Sequence, residues 1–433
     1  MVEQVLFILM LAVGVGFFVR SISKIRRNIF LGRPLQINDR KPERWKTMAR
    51  VALGQSKMVL RPVAGFFHIL IYVGFVLINI EVLEIVLDGI TGSHRMFAHY
   101  LGDFYAVAIG FFEVLAVLVM LACVVFLARR LSGSPARLSS TQLKGWANTD
   151  ALLILGIELV LMTALLVMNA AEGAMPGAEV APFLVSSRIS PLFSGLNAET
   201  LHWIERLAWW FHAAGILGFL NYLPFSKHFH IVLAFPNVWY SNLEPKGKFA
   251  NHQAVKREVE LMMNPEAEVQ SATAESELPI KFGAKDVQDL SWKQLLDAYS
   301  CTECGRCSSE CPAHQTGKLL SPRKIMMDTR DRLEEVGRNI DAHGKEYSDG
   351  KSLLGDFITE EELWACTTCN ACTQACPVNI DPLSIIMDLR RELVLEQSKA
   401  PGALTAMFNN VENNAAPWPF SPADRGNWRL TSH

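Results

Sequence analysis

The sequence predicts an all-α protein in two parts, a five-helix transmembrane bundle followed by a helical domain built around two cysteine runs. Three observations predict it. The chain of 433 residues is 50% hydrophobic, too apolar for an ordinary soluble protein and long enough for two domains. Its apolar residues gather in five runs of spanning length or nearly so, at about 2–19, 63–87, 104–127, 151–168 and 206–225. Eight of its nine cysteines lie beyond residue 300, in two copies of one spacing.

The first run has Glu3 ahead of it and its basic residues behind it, the reverse of a secretory signal. The stretch from Arg20 to Arg61 is rich in arginine and lysine, and the third loop holds Arg129, Arg130, Arg137 and Lys144. The second and fourth loops hold little beyond Arg95 and Arg188. Because basic loops stay in the cytoplasm, this alternation predicts a multipass protein of the cytoplasmic (inner) membrane, with its N-terminus outside and everything after about residue 226 inside. The net charge of -2 gives no sign of a nucleic-acid partner. Residues 1–240 therefore read as the membrane domain and 241–289 as a polar linker, loosest at Asn264-Pro265 and across 272–277. Residues 290–398 read as the helical cysteine domain, in which Ser321-Pro322 and Pro382 mark helix starts. Residues 399–433, with Pro417-Trp418-Pro419-Phe420, read as an extended tail.

Each cysteine run reads C-x2-C-x2-C-x3-C-P, closed by Pro312 and Pro377. Three thiolates at this spacing reach three corners of a cubane from one loop, while the fourth, before proline, ligates the other cluster. Cys301, Cys304, Cys307 and Cys376 are thus expected to hold one [4Fe-4S] cluster, and Cys366, Cys369, Cys372 and Cys311 the other. Zinc is the competing ligand of paired CxxC elements, but zinc sites rarely show four cysteines per run with a terminal C-P. Cys123, in an apolar run, reads as a packing residue.

Histidines in or beside spanning helices are functional candidates by default. His68 lies about two turns inside the second run, and His212 and His230 flank the fifth at a spacing of 18 residues. On one continuous helix that spacing returns to the same face after five turns, roughly 27 Å apart. His68 and His230 both fall toward the cytoplasmic end, where two imidazoles can share a haem b, with His228 a competing partner; the alternative is a set of interfacial, hydrogen-bonded histidines.

The stretch Leu223-Pro224-Phe225-Ser226-Lys227-His228-Phe229-His230, with His212 before it, resembles the last helix of the respiratory nitrate reductase gamma subunit family. That resemblance implies five spans, an outside N-terminus, a quinol site and an inner haem on His68 and His230. It also implies an outer haem on His212, whose partner position is Ile78 here, so it supports one haem and not the second. The C-terminal half is similar to the helical ferredoxin subunits of heterodisulfide reductases and of anaerobic glycerol-3-phosphate dehydrogenase. The combination resembles the membrane iron-sulfur subunits related to heterodisulfide reductase. Larger members add domains with adjacent Cys-Cys pairs, and this chain has none. The resemblance therefore implies a separately encoded cysteine-rich or flavin-containing redox partner.

Glu81, Glu113 and Glu158 fall within the runs, where an ionised carboxylate is costly unless paired. They are candidates to converge at a quinone or proton site; fixing helix packing is the alternative. The expected function is electron transfer between a soluble partner and the membrane quinone pool, through two [4Fe-4S] clusters and haem b. A redox-driven ion-translocating subunit and a haem-free membrane anchor wiring a partner reductase are the competing functions.

Overall fold

The computed structural model describes residues 1–177, 183–249, 251, 253–264 and 281–430. The loosest linker segments expected from the sequence, Pro265 and 272–277, lie outside the described residues. Among those described there is no strand, only isolated bridges between Arg33 and Ser291 and between Leu354 and Ile358.

The N-terminal half comprises α1 (Val2–Ile29), α2 (Lys41–Met48), α3 (Pro62–Thr91), α4 (Met96–Leu101), α5 (Asp103–Leu131), α6 (Trp146–Gly173), α7 (Ala198–Tyr222) and α8 (His230–Trp239). Of these, α1, α3, α5 and α6 are long and apolar enough to cross a membrane. The helix α7 carries Glu205, Arg206 and His212 within its length, which dilutes its hydropathy. It nevertheless completes a ring in which α1 packs on α3, α3 on α5, α5 on α6, α6 on α7, and α7 back on α1. Ala116, Ala122, Cys123, Ala170 and Ala171 are fully buried within this ring, small residues that let helix backbones approach where no water drives them together.

The fifth apolar run is not one helix. Tyr222 ends α7, short turns follow at Leu223–Phe225 and Lys227–Phe229, and His230 opens α8. Pro224 supplies no N-H for a continuing ladder, and Ser226 is extended, at φ -119 and ψ 148. The shared helix face and the 27 Å separation expected for His212 and His230 therefore do not apply.

The C-terminal half comprises α9 (Gln253–Met263), α10 (Trp292–Tyr299), α11 (Arg306–Ser309), α12 (Pro312–Gln315), α13 (Pro322–His343), α14 (Glu360–Trp364), α15 (Ala371–Ala375), α16 (Pro382–Arg391) and α17 (Gly402–Asn414). Ser321 caps α13, accepting from Lys324 N, and Asp381 caps α16, accepting from Leu383 N and Ser384 N. Leu295, Ile325, Leu333, Leu353, Ile358, Ile385 and Ile386 form its dry centre. Residues 281–289, expected as linker, belong to this packing: Ala284 N donates to Asp388 O, and Arg332 is paired with Asp286. Nor is the tail extended, since Pro401 opens α17 and Pro422–Arg429 forms a further short helix.

The two halves meet along one end of the ring, where its basic residues gather. Lys24 pairs with Asp341 at 2.7 Å and Asn28 donates to Tyr299 Oη. Arg33 exchanges backbone bonds with Leu290 and Trp292, and Asn237 donates to Val378 O.

Candidate functional site

The two cysteine loops are conformational copies. Glu303 and Gly305 have φ of 56 and 71, and the matching Thr368 and Asn370 have 57 and 61. Alternating left-handed residues curl each loop inward and turn its N-H groups toward the concave side. The third cysteine of each run then sits on a short helix, Cys307 on α11 and Cys372 on α15, and these two helices pack together. That contact brings the fourth cysteine of one run to the other. Cys301, Cys304, Cys307 and Cys376 line a single cavity with Arg306 and Arg323. Cys311 lies within electrostatic reach of Cys366, as do Cys369 and Cys372.

The donor set fits two cubane clusters, with four thiols for each. Thr368 N donates to Cys366 Sγ at 3.4 Å and Ile380 N to Cys376 Sγ at 3.3 Å, bonds that favour thiolate. Burial pushes the Cys301, Cys372 and Cys376 thiols up to about 12, so filling either site must displace protons. Each site has two buried cysteines, Cys301 and Cys376 in the first and Cys311 and Cys372 in the second, and access differs at Cys369, which is exposed.

The first site faces the membrane half. Arg306 donates to Lys57 O at 2.9 Å, Lys57 donates to Cys376 O at 3.1 Å, Arg61 pairs with Glu310, and Arg137 donates to Cys304 O. The turn carrying Lys57 folds back on the start of α3, where a side chain at Gly65 would meet Met58 O at 2.7 Å. One turn further along α3 is His68.

His68 and His230 face one another, ring centroids 6.5 Å apart and planes tilted by 47°. His230 Nδ1 donates to Lys227 O at 3.1 Å, which leaves Nε2 for a ligand, and His68 Nδ1 is buried without a partner. The spacing is close to twice the sum of a metal-nitrogen bond of about 2.0 Å and an imidazole radius, so the pair fits a shared metal centre. His228 lies tilted against Phe219 and meets His230 edge-on. His212 is buried elsewhere, Nδ1 donating to Leu161 O at 2.9 Å, and the expected Ile78 is an apolar core residue.

Asp150 on α6 anchors the turn before His230. It accepts from Tyr222 Oη, Ser226 Oγ and Lys227 N. Lys227 itself bridges the halves by pairing with Glu303, between Cys301 and Cys304.

The three candidate glutamates do not converge. Glu81 and Glu113 join a buried network at the far end of the ring, while Glu158 stands apart, near Cys123. The centre of that network is Arg95, bound to Glu172 at 2.7 Å and Asn169 at 2.6 Å, with Glu81 at 3.6 Å. Asn169 also donates to Glu113, and Glu84 accepts from Tyr105 Oη and Phe97 N. Arg95 has the sequence surroundings of an ordinary loop residue, yet it is only 7% exposed. Its signal is the spacing of Glu81, Glu84 and Asp88, one helix face of carboxylates in need of a cation.

Residues 297–380, spanning all eight motif cysteines, match the family described as the 4Fe-4S dicluster domain. The probable iron-sulfur-binding oxidoreductase FadF of Bacillus subtilis (strain 168) is 29% identical over 461 residues, covering 99% of this chain and 61% of that protein. The EtfAB:quinone oxidoreductase of Syntrophomonas wolfei is 29% identical over 428 residues, covering 90% of this chain and 54% of that protein. A subunit of the ferredoxin/F(420)H(2)-dependent CoB-CoM heterodisulfide reductase of Methanosarcina acetivorans is 34% identical over 107 residues, 24% of this chain and 52% of that one. This chain thus spans 54 to 61% of the length of its two long relatives. No solved structure matches it significantly. The chain is a relative of iron-sulfur oxidoreductases and of the iron-sulfur subunits of heterodisulfide reductases, with a 4Fe-4S dicluster domain following four apolar helices.

Proposed function

We propose that this chain is a membrane-bound respiratory electron-transfer subunit, passing electrons between a soluble redox partner and the quinone pool. In this reading residues 1–240 form a five-span domain with its N-terminus outside, and residues 290–398 a cytoplasmic ferredoxin domain. Cys301, Cys304, Cys307 and Cys376 hold one [4Fe-4S] cluster, Cys311, Cys366, Cys369 and Cys372 the other, and His68 and His230 share a haem b. When bound, these groups supply one-electron storage. The protein supplies placement. The cysteine loops fix the clusters and keep the first from water, the turn at Lys57 and Met58 sets that site against the start of α3, and the bond from His230 to Lys227 O orients the imidazole.

The observation that carries the reading is the succession of exposed Cys369, the first site against the start of α3 and the His68-His230 pair one turn along that helix. Kinship with an EtfAB:quinone oxidoreductase supports quinone as one end of the path and a soluble redox protein as the other. Glu81 and Glu113, held in the network around Arg95, are the candidate proton-exchanging carboxylates of this reading. The test is a dithionite-reduced minus oxidised spectrum of the detergent-purified protein, with iron, labile sulfide and haem quantified on the same sample. A b-type band that disappears in His68→Ala, with about eight non-haem irons, is expected. An unchanged band in His68→Ala overturns the haem assignment, and zinc without labile sulfide overturns the clusters.

A further inference from the structure

The two cysteine sites sit in unequal electrostatic surroundings. Around the first, Arg306 and Arg323 line the cavity itself. Arg323 is 1% exposed and donates to Arg137 O at 2.7 Å and to Gln142 Oε1. Arg137 donates to Cys304 O at 3.0 Å, and Lys57 to Cys376 O at 3.1 Å and Gln374 O at 3.3 Å. These bonds go to neutral oxygens, so they leave the positive charges uncompensated. Glu303, a carboxylate within electrostatic reach of Arg323, is already held by Lys227 and by Arg330 at 2.9 Å.

Beside the second site Arg390 donates to Cys366 O and Leu363 O. It is opposed by Asp381, which accepts from Thr373 Oγ1 at 3.1 Å beside Cys372. Cys369 also opens this site to water, where charges are screened.

A cluster bound by four thiolates gains one negative charge on one-electron reduction. Buried, unpaired cations favour that reduced form, because charges interact far more strongly in a low-dielectric interior than in water. We propose that Lys57, Arg137, Arg306 and Arg323 act as positioning residues, a cationic collar that holds the first cluster at a higher reduction potential than the second. Electrons entering at the exposed Cys369 side then run downhill toward the histidine pair. The inference rests on both sites binding [4Fe-4S] clusters.

The test is a potentiometric titration with dithionite as reductant, followed by electron paramagnetic resonance on the full-length protein in detergent. Cys369→Ala removes the second cluster and so identifies the first signal. In the otherwise unaltered protein that signal is expected to have the higher midpoint. Arg306→Gln is expected to lower its reduction equilibrium about tenfold, about 59 mV for a one-electron couple, with the second signal unmoved. Lys57→Met, outside the cavity wall, is expected to shift the same signal in the same direction and guards against misfolding of the arginine variant. Two signals in the reverse order, or midpoints unmoved in both variants, overturn the collar while leaving the clusters standing. Absence of both signals, with zinc bound, overturns the cluster reading and the collar with it.

Discussion

Replacing Cys376 with alanine tests the crossing of the two runs. Cys376 belongs to the second run by sequence, yet it lines the first run's cavity with Cys301, Cys304 and Cys307. Removing it takes one of four anchors from the first site and none from the second. Non-haem iron is therefore expected to fall from about eight to about four per chain, with labile sulfide falling in step. The resonance signal lost in Cys376→Ala is the one lost in Cys304→Ala, and the signal kept is the one lost in Cys369→Ala. Cys311→Ala gives the reciprocal result. The assay is iron and sulfide quantification with low-temperature spectra on anaerobically purified variants. If Cys376→Ala instead matches Cys369→Ala, each run binds its own cluster and the packing of α11 on α15 does not cross the ligands.

Three further outcomes follow from the same geometry. Arg95→Met leaves Glu172 with His94 alone and Glu81 without its cation, and breaking a buried pair costs about 3–5 kcal/mol; unfolding in detergent is expected to quicken markedly, and an unchanged rate would falsify the pairing as a stabilising element. The Arg332 guanidinium beside Asp349 holds that carboxyl down at about 2, below its usual value near 3.9. Stability from this contact is present above about pH 4 and is lost as pH falls through 2, so an acid titration of circular dichroism shows a component that Asp349→Asn removes. Lys227→Met deletes the link to Glu303 and leaves that carboxylate with Arg330 alone; limited proteolysis is expected to cut the segment after Trp239 faster than in the unaltered protein, and equal rates would count against a docking role.

The parts of this molecule that are legible in sequence are those that a short spacing or a long run dictates. The cysteine repeat implies both the ligand sets and their crossing, because three positions on one loop leave the fourth thiol pointing elsewhere. The apolar runs mark the spanning helices, although α6 extends several residues beyond its run at both ends and α3 beyond its C-terminal end. What escapes depends on tertiary choice. Pro224 is visible, but the apolar run through it reads as one helix from His212 to His230, and only the packed chain shows the break that turns His230 toward His68. Arg95 escapes because a charged residue in a loop near a turn glycine reads as solvated until the carboxylates of α3 and α6 close over it. The prolines and tryptophans of the tail suggest an extended segment, yet the Ala403-Leu404-Thr405-Ala406-Met407 run within it forms a helix.

The pairing of Lys227 with Glu303 has a consequence for how such a protein is assembled. The lysine stands three residues before His230, and the glutamate lies inside the first cysteine loop. If His230 and the first cysteine loop hold cofactors as proposed, the turn that presents one and the loop that presents the other share a single tether, itself anchored to α6 through Asp150. Maturation of the two cofactors cannot be wholly independent in such an arrangement. Under the proposed function, any rearrangement of the first cysteine loop on cluster insertion is therefore felt at His230 through the Lys227-Glu303 pair.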